Sequence, residues 1–344
     1  MTAEHTFPYV EAAGSAYAMG YQHGEQAAAL IQRYLLLTER VTGLARDHLC
    51  RNALAFLPLI EQLSPAYVEE VRGLAAGAGL SFEEALLCQA RAEAAYQNPE
   101  GCTAFALTGE ATADHQPLAG QNQDLPPEYG DVAILLHVKP SDGRPRALIF
   151  TFAGQLGYVG MNQFGLALFA NALYDYQWQL GLPKYPMKRA ILEQPTVAAA
   201  VELLSRLRLC SANNLVLADG QGQIADVEVR PEGIALFADS HPGRRVHTNH
   251  HVTPEFEALE TNSLADSCPR LDRMNALIQE HWGRLTVERL QTFLADHAND
   301  PGGICRHGES GFHSISGYIA EPARGVLHVR RGHGCLGSWH TYTV

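Results

Sequence analysis

Apolar residues recur at helical spacing through the first part of the chain and at strand spacing afterwards, and the change falls near Cys102. From Met19 to His48 the apolar positions Leu30, Tyr34, Leu37, Val41 and Leu44 lie three or four apart, with Gln, Arg and Glu on the other faces, which predicts a long amphipathic helix. A second helix is predicted over 66–76. A third starts at Ser81, where Ser81 and Glu84 form a capping box ahead of Ala85, Leu86 and Leu87, and it ends at Asn98-Pro99. After Cys102, short runs of period two or of continuous apolar character predict strands over 102–108, 131–138, 146–152 and 164–170. Helices over 187–193 and 196–208, strands over 213–218, 223–229 and 232–238, helices over 269–280 and 286–296, and strands over 312–320 and 325–330 complete the pattern. Grouped strands with grouped helices between them predict an α+β protein of packed sheets covered by helices, with a helical N-terminal segment.

At 344 residues, 46% apolar and 18% charged, the chain can bury one large core or two moderate ones. Its 25 basic and 37 acidic residues give a net charge of −12 without a basic stripe, which excludes a nucleic-acid or anionic-membrane surface. Residues 1–20 carry no signal-peptide pattern and no apolar stretch is long enough to span a bilayer, so a cytoplasmic protein is expected. The seven cysteines are odd in number and include no C-x-x-C, so reduced thiols are expected and neither a disulfide framework nor a zinc ribbon.

Gly101-Cys102, at the head of GCTAFALTG, carries the sharpest chemistry. A cysteine so placed can attack the carbonyl before it, and cleavage would free an α-amine with a pKa of about 7.7–8.0 to act as base for its own thiol. Glycine suits such an attack because it tolerates strained backbone; the alternative is a small core cysteine. A hairpin through 114–117 would bring Asp124, in GQNQD, near Cys102, unless Asp124 is a loop Asx group. Asn162 reads as turn chemistry. Asn171 closes the apolar run LALFANAL as either an oxyanion donor or a structural amide. His247, His250 and His251 in HTNHH invite a metal, but no fourth ligand stands at recognisable spacing, and Asn249 can instead be an amide donor at a strand end. Arg306, between Cys305 and His307, is either a basic group near the site or a solvated side chain. The run Gly20 to Glu25 has no preceding strand and no phosphate-loop pattern. No metal and no cofactor are expected.

Taken in order, GYQHGE, EGCTAF, GQNQD, GMNQFGLALFANAL, HTNHH, ICRH and FHSISGYI resemble the penicillin acyltransferase family of self-cleaving N-terminal-nucleophile enzymes, the relatives of isopenicillin N acyltransferase. The resemblance implies a four-layer αββα sandwich and autocleavage at Gly101–Cys102 into a helical leader, 1–101, and a catalytic core, 102–344, that stay associated. It implies Cys102 as nucleophile on its own backbone and then on substrate, Asp124 holding the new α-amine, and, through bile-salt hydrolases and penicillin V acylases, Asn171 and Asn249 as oxyanion donors. Those wider relatives often carry Arg where this chain has Gln121, which bears on substrate binding there. GESGFHS lacks the Ser-Arg pair of the fungal members, for which Arg306 is the substitute. The function implied is an amidohydrolase or acyltransferase on linear amides, working through an acyl-thioester, with a small N-acyl amine or acyl-thioester as substrate. The alternatives are a thiol hydrolase activated by a histidine such as His250 without cleavage, or a binding protein of the same fold without turnover.

Overall fold

The computed structural model describes residues 6–96, 100–174, 178–261, 263–308 and 311–344. The chain opens with β1 (Tyr9–Gly14), followed by α1 (Ala16–Thr42), α2 (Arg46–Leu54), α3 (Leu57–Leu63), α4 (Pro65–Ala78), α5 (Phe82–Gln89) and α6 (Arg91–Ala95). Six strands follow: β2 (Gly101–Leu107), β3 (Leu118–Leu125), β4 (Ala133–Pro140), β5 (Ala147–Phe152), β6 (Val159–Asn162) and β7 (Ala167–Ala172). Next come α7 (Lys184–Ile191), α8 (Val197–Arg206), β8 (Asn213–Ala218), β9 (Ile224–Arg230), β10 (Gly233–Leu236) and β11 (Arg244–His247). The chain closes with α9 (Pro254–Glu257), α10 (Ser267–Glu280), α11 (Val287–Phe293), β12 (His313–Glu321), β13 (Val326–Arg331) and β14 (Trp339–Thr343).

The helix predicted over Met19–His48 breaks at Gly43, whose φ of 69° ends α1 while its N–H caps Glu39. The Ser81–Glu84 capping box is present on both sides. In α1 the GYQHGE glycines have a packing reason. A Cβ on Gly20 or Gly24 would come within 1.8 or 2.4 Å of a backbone carbonyl oxygen of α4, so only glycine lets the two helices touch.

Two sheets face each other, one ordered β1-β4-β5-β6-β7-β8-β9-β10 and the other β11-β2-β3-β12-β13-β14. β2 and β3 pack on β7 and β8, α1 and α8 cover the larger sheet, and α10 and α11 cover the smaller, which makes the αββα layer order. One core fills the space between the sheets and reaches under α1 and α4. A second, with Phe105, Leu107, Met274, Ile278 and Phe293, lies beneath α10 and α11. The leader is not separate from this body: β1 pairs parallel with β4, and leader residues such as Ile31 and Leu74 belong to the first core.

Candidate active site

The pleat of the smaller sheet divides the site between its two faces. Side chains alternate along β2, so Ala104 and Ala106 join the core between the sheets while Phe105 and Leu107 lie under the helices. By the same alternation Cys102 points between the sheets, and Gly101 and Thr103 turn toward α10. Along β2, Gly101 stands opposite Asp124 of β3, and Cys102 opposite Gln123. Asp124 is thus not a loop group. It sits in a strand flanked by β2 and β12, next to Cys102 as the hairpin expectation required.

On the helix side a network closes around the Gly101–Cys102 link. The Cys102 N–H donates to Asn249 Oδ1 at 2.9 Å, and Asn249 Nδ2 donates to the Ala172 carbonyl at 2.9 Å. Arg270, fully buried on α10, donates to the Cys102 carbonyl (2.6 Å), to Thr103 Oγ1 (3.1 Å) and to Asn249 Oδ1 (2.8 Å). Asp266 bridges the two guanidiniums, at 2.8 Å from Arg270 and 2.7 Å from Arg306. Asp124 Oδ1 accepts from Ser314 Oγ at 2.6 Å, and Ser314 Oγ accepts from the Arg306 N–H at 3.0 Å. Ser314, the last residue of GESGFHS, thus links the Asp124 carboxylate to the Arg306 backbone. Asp124 Oδ2 has no hydrogen-bond partner among the described residues. Burial raises the Asp124 pKa above the usual carboxylate value, against the pull of Arg306 and Arg270. A Cβ on Gly101 would stand 3.1 Å from Arg306 Nη1 and 3.3 Å from the Asp124 Cβ. Gly101 lies in extended strand backbone, and its missing Cβ leaves room for these two side chains.

On the inner face the Cys102 thiol is fully buried. Burial pushes it up to about 12, with Glu100 and Asp124 adding to the shift and the Ala172 backbone amide and Lys188 opposing it. Glu100 accepts from Arg91 (3.2 Å) and Tyr158 (2.9 Å). The Tyr174 hydroxyl holds its backbone, donating to the carbonyl at 2.7 Å and accepting from the N–H at 3.2 Å. Burial brings Lys188 down to about 8, although Glu100 works against that fall.

The structure therefore gathers Gly101, Cys102, Asp124, Asn249 and Arg306. Asn171 Nδ2 donates to the His247 carbonyl at 3.1 Å and its Oδ1 accepts from Asn214 at 3.3 Å, so its amide, like that of Asn249, holds a backbone carbonyl. A backbone amide, that of Ala172, favours the ionised Cys102 thiol. Gln121 is spent elsewhere, donating to the Ala170 carbonyl at 2.7 Å and accepting from the Ala170 N–H at 3.0 Å, so it clasps the two sheets. His250 contacts Ser267 Oγ (2.7 Å) and faces the Cys268 sulfur (3.7 Å), while His247 and His251 flank Glu228 at 3.0 and 3.2 Å. None of these contacts reaches Cys102.

Arg270, Asp266, Ser314, Glu100 and Lys188 were not singled out from the sequence. One signal was available for Arg270. It lies four, seven and eight residues before Met274, Leu277 and Ile278, on the buried stripe of α10, where a charge needs an internal partner.

Residues 111–333 match the family described as acyl-coenzyme A:6-aminopenicillanic acid acyl-transferase. The chain belongs to this family of acyltransferases. The acyl-coenzyme A:6-aminopenicillanic-acid-acyltransferase 40 kDa form of Emericella nidulans is 28% identical over 310 residues, 87% of this chain and 84% of that one. An uncharacterized protein of Archaeoglobus fulgidus is 22% identical over 84% of this chain and 57% of its own length. Among solved structures, a conjugated bile acid hydrolase from Clostridium perfringens aligns with a TM-score of 0.47, at 13% identity over 71% of this chain and 97% of that one. Penicillin V acylase from Agrobacterium tumefaciens aligns with a TM-score of 0.46, at 16% identity over 67% and 83%. No helix among the described residues is long and apolar enough to cross a membrane.

Proposed function

We propose that this chain is a self-cleaving N-terminal-cysteine enzyme that hydrolyses or transfers acyl groups at linear amides through a thioester on Cys102. The observation that carries the reading is the junction itself. The Cys102 N–H is held by Asn249, the Cys102 carbonyl by Arg270, and across the ladder stands a buried carboxylate with one oxygen unpartnered. In the first step the thiol attacks the Gly101 carbonyl, the Gly101–Cys102 amide breaks, and the thiol proton passes to the departing nitrogen. Water then hydrolyses the thioester, leaving a Gly101 carboxylate and a Cys102 that carries a free amine and a free thiol. The α-amine does not exist before this cut, so the first thiolate depends on groups already in place, the Ala172 amide and the positive charge of Lys188.

In turnover the new amine takes the thiol proton, the thiolate takes the acyl group, and the ammonium returns the proton to the leaving amine. Asp124 Oδ2 is the acceptor we assign to that ammonium, and Asn249 and the Ala172 amide the donors to the oxyanion. The relative from Emericella nidulans is named for moving an acyl group from coenzyme A to an amine, which supports acyl-thioesters beside small N-acyl amines and peptide-like amides as substrates. We assign residues 1–101 and 102–344 as the mature chains, held together by the sheet and core they share. Seven unpaired thiols fit a reducing compartment, and we place the enzyme in the cytoplasm.

Denaturing mass analysis tests the reading. It expects fragments 1–101 and 102–344, together with turnover in a screen of N-acyl amines and acyl-thioesters. An intact, active chain would sink the mechanism, and inert thiols at Cys102 would leave only a binding protein.

A further inference from the structure

Among the described residues, one group of thiols and imidazoles lies apart from the network around Cys102. His297, Cys305, His307 and Cys335 each offer one ligand atom, and the four atoms lie within 4.8 Å of one another. His297 Nε2 is 2.9 Å from His307 Nε2, and His307 Nε2 is 3.5 Å from Cys335 Sγ. A single imidazole nitrogen has one proton or one lone pair, so it cannot satisfy a second imidazole and a thiol together. A cation at the centre satisfies all four. With zinc bonds of about 2.0–2.1 Å to nitrogen and 2.3 Å to sulfur, tetrahedral geometry puts two nitrogens about 3.3 Å apart and a nitrogen and a sulfur about 3.6 Å apart. The spacings in the structure already approach these values.

We infer that His297, Cys305, His307 and Cys335 form a structural Cys2His2 site for zinc. Two thiolates neutralise the dication, which suits a site where Cys305 is fully buried and the other ligands are partly or wholly open to solvent. The ligands come from two segments, the loop between α11 and β12, which carries three of them, and the turn after β13, which carries Cys335. Both are preset. Asn122 of β3 donates to the carbonyls of Leu294 (2.8 Å) and Ile304 (2.9 Å), pinning the two ends of the first loop, and the Cys305 N–H closes it on the Asp296 carbonyl at 2.9 Å. The turn seats against that loop only because residue 334 is glycine, since a Cβ there would come 2.2 Å from the Leu294 carbonyl oxygen. The chain between two ligands, Cys305 and His307, is Arg306, whose guanidinium reaches Asp266 in the site around Gly101. The ion would thus fix the loop that presents Arg306 and take no part in the acyl chemistry. The expectation of no metal rested on HTNHH. These four ligands, at 297, 305, 307 and 335, match no familiar spacing.

The test uses full-length protein made in zinc-supplemented medium and purified with reductant and without chelator. Elemental analysis should find about one zinc per chain. Replacement by Co²⁺ should give the intense visible bands of a tetrahedral site with a thiolate-to-cobalt charge-transfer band. Cys335→Ser, at an exposed position, and His297→Ala should each lower metal content by about tenfold or more. Cys268→Ser, another exposed thiol, should leave it unchanged. The cobalt spectrum of the unaltered chain needs no variant to fold. Zinc below about a tenth of an equivalent together with no tetrahedral cobalt spectrum would overturn the proposal. So would metal retained in Cys335→Ser, or a Cys305–Cys335 disulfide found by non-reducing peptide mapping of the purified protein.

Discussion

Glu228 and Asp124 are both fully buried carboxylates, one on the larger sheet and one on the smaller, and they are treated in opposite ways. Glu228 accepts from His247, His251 and the backbone of Val252 and Thr253, and from the Thr253 hydroxyl. Burial opposes its ionisation, but the bonds from His247 and His251 prevail and hold its pKa far below the usual carboxylate range. Asp124 has one hydrogen bond, from Ser314, and burial raises it. A satisfied buried charge organises the chain around it; under the proposed reading, the open Asp124 oxygen receives the Cys102 amine after the cut. That contrast separates the scaffold of the HTNHH segment from the chemistry beside Cys102.

The largest expected effect tests whether the chemistry belongs to the Asp124 side at all. Cys102→Ala should leave the 37.5 kDa chain uncut and lower turnover by about 10⁴-fold or more, read by intact mass and by rate. A cleaved or active Cys102→Ala protein would assign the nucleophile elsewhere. Asp124→Asn comes next. It should cost about 10²–10⁴ in kcat, as loss of an amine-orienting carboxylate would, while thermal stability is kept or raised because a penalised charge has gone. A fall in stability with normal kcat would make Asp124 another Glu228.

Asn249→Ala should lower kcat by about 10²–10³ with a smaller change in KM, the size of one oxyanion donor. Glu228→Gln should do the reverse, costing about 2–4 kcal/mol of stability in denaturant melts by breaking a buried hydrogen-bonded charge cluster. Its pH dependence follows from the sign of the shift. The folded pKa lies below the unfolded value of about 4.3, so the stabilisation is complete above that pH and disappears as pH falls through the folded value. Parent and Glu228→Gln melts should therefore converge in acid; a gap that stays constant would refute the linkage. The smallest effect is expected at Asn171→Ala, about 1–3 kcal/mol of stability and less than about tenfold in kcat, because its amide serves the His247 carbonyl. A kcat loss equal to that of Asn249→Ala would restore it to the oxyanion site.

Periodicity revealed the apolar half of this molecule and hid the polar half. The runs at 146–152 and 213–218 became β5 and β8 almost residue for residue, since their faces are apolar. β3 was missed. Its LAGQNQDL buries Gln121, Asn122, Gln123 and Asp124, three of them bonded to groups far along the chain, so no hydrophobic alternation announces it. β1 escaped inside a segment read as helical, because it is a six-residue edge strand whose tyrosine and glutamate face outward. Within the site, Cys102, Asp124, Asn249 and Arg306 were legible from motif order. Arg270 was not, because its carbonyl acceptor on Cys102 lies 168 positions away in the chain.

The parallel pairing of β1 with β4 gives the molecule a direction in time. An unbroken chain folds with the leader strand tethered, so the edge of the larger sheet closes as an intramolecular event. Were Gly101–Cys102 cut as proposed, the same edge would be filled by a second molecule, and rebuilding the sheet after full denaturation would become a bimolecular encounter between two chains. The mature enzyme would then persist through the height of its unfolding barrier, with refolding yield falling on dilution where the uncut Cys102→Ala chain shows no such dependence.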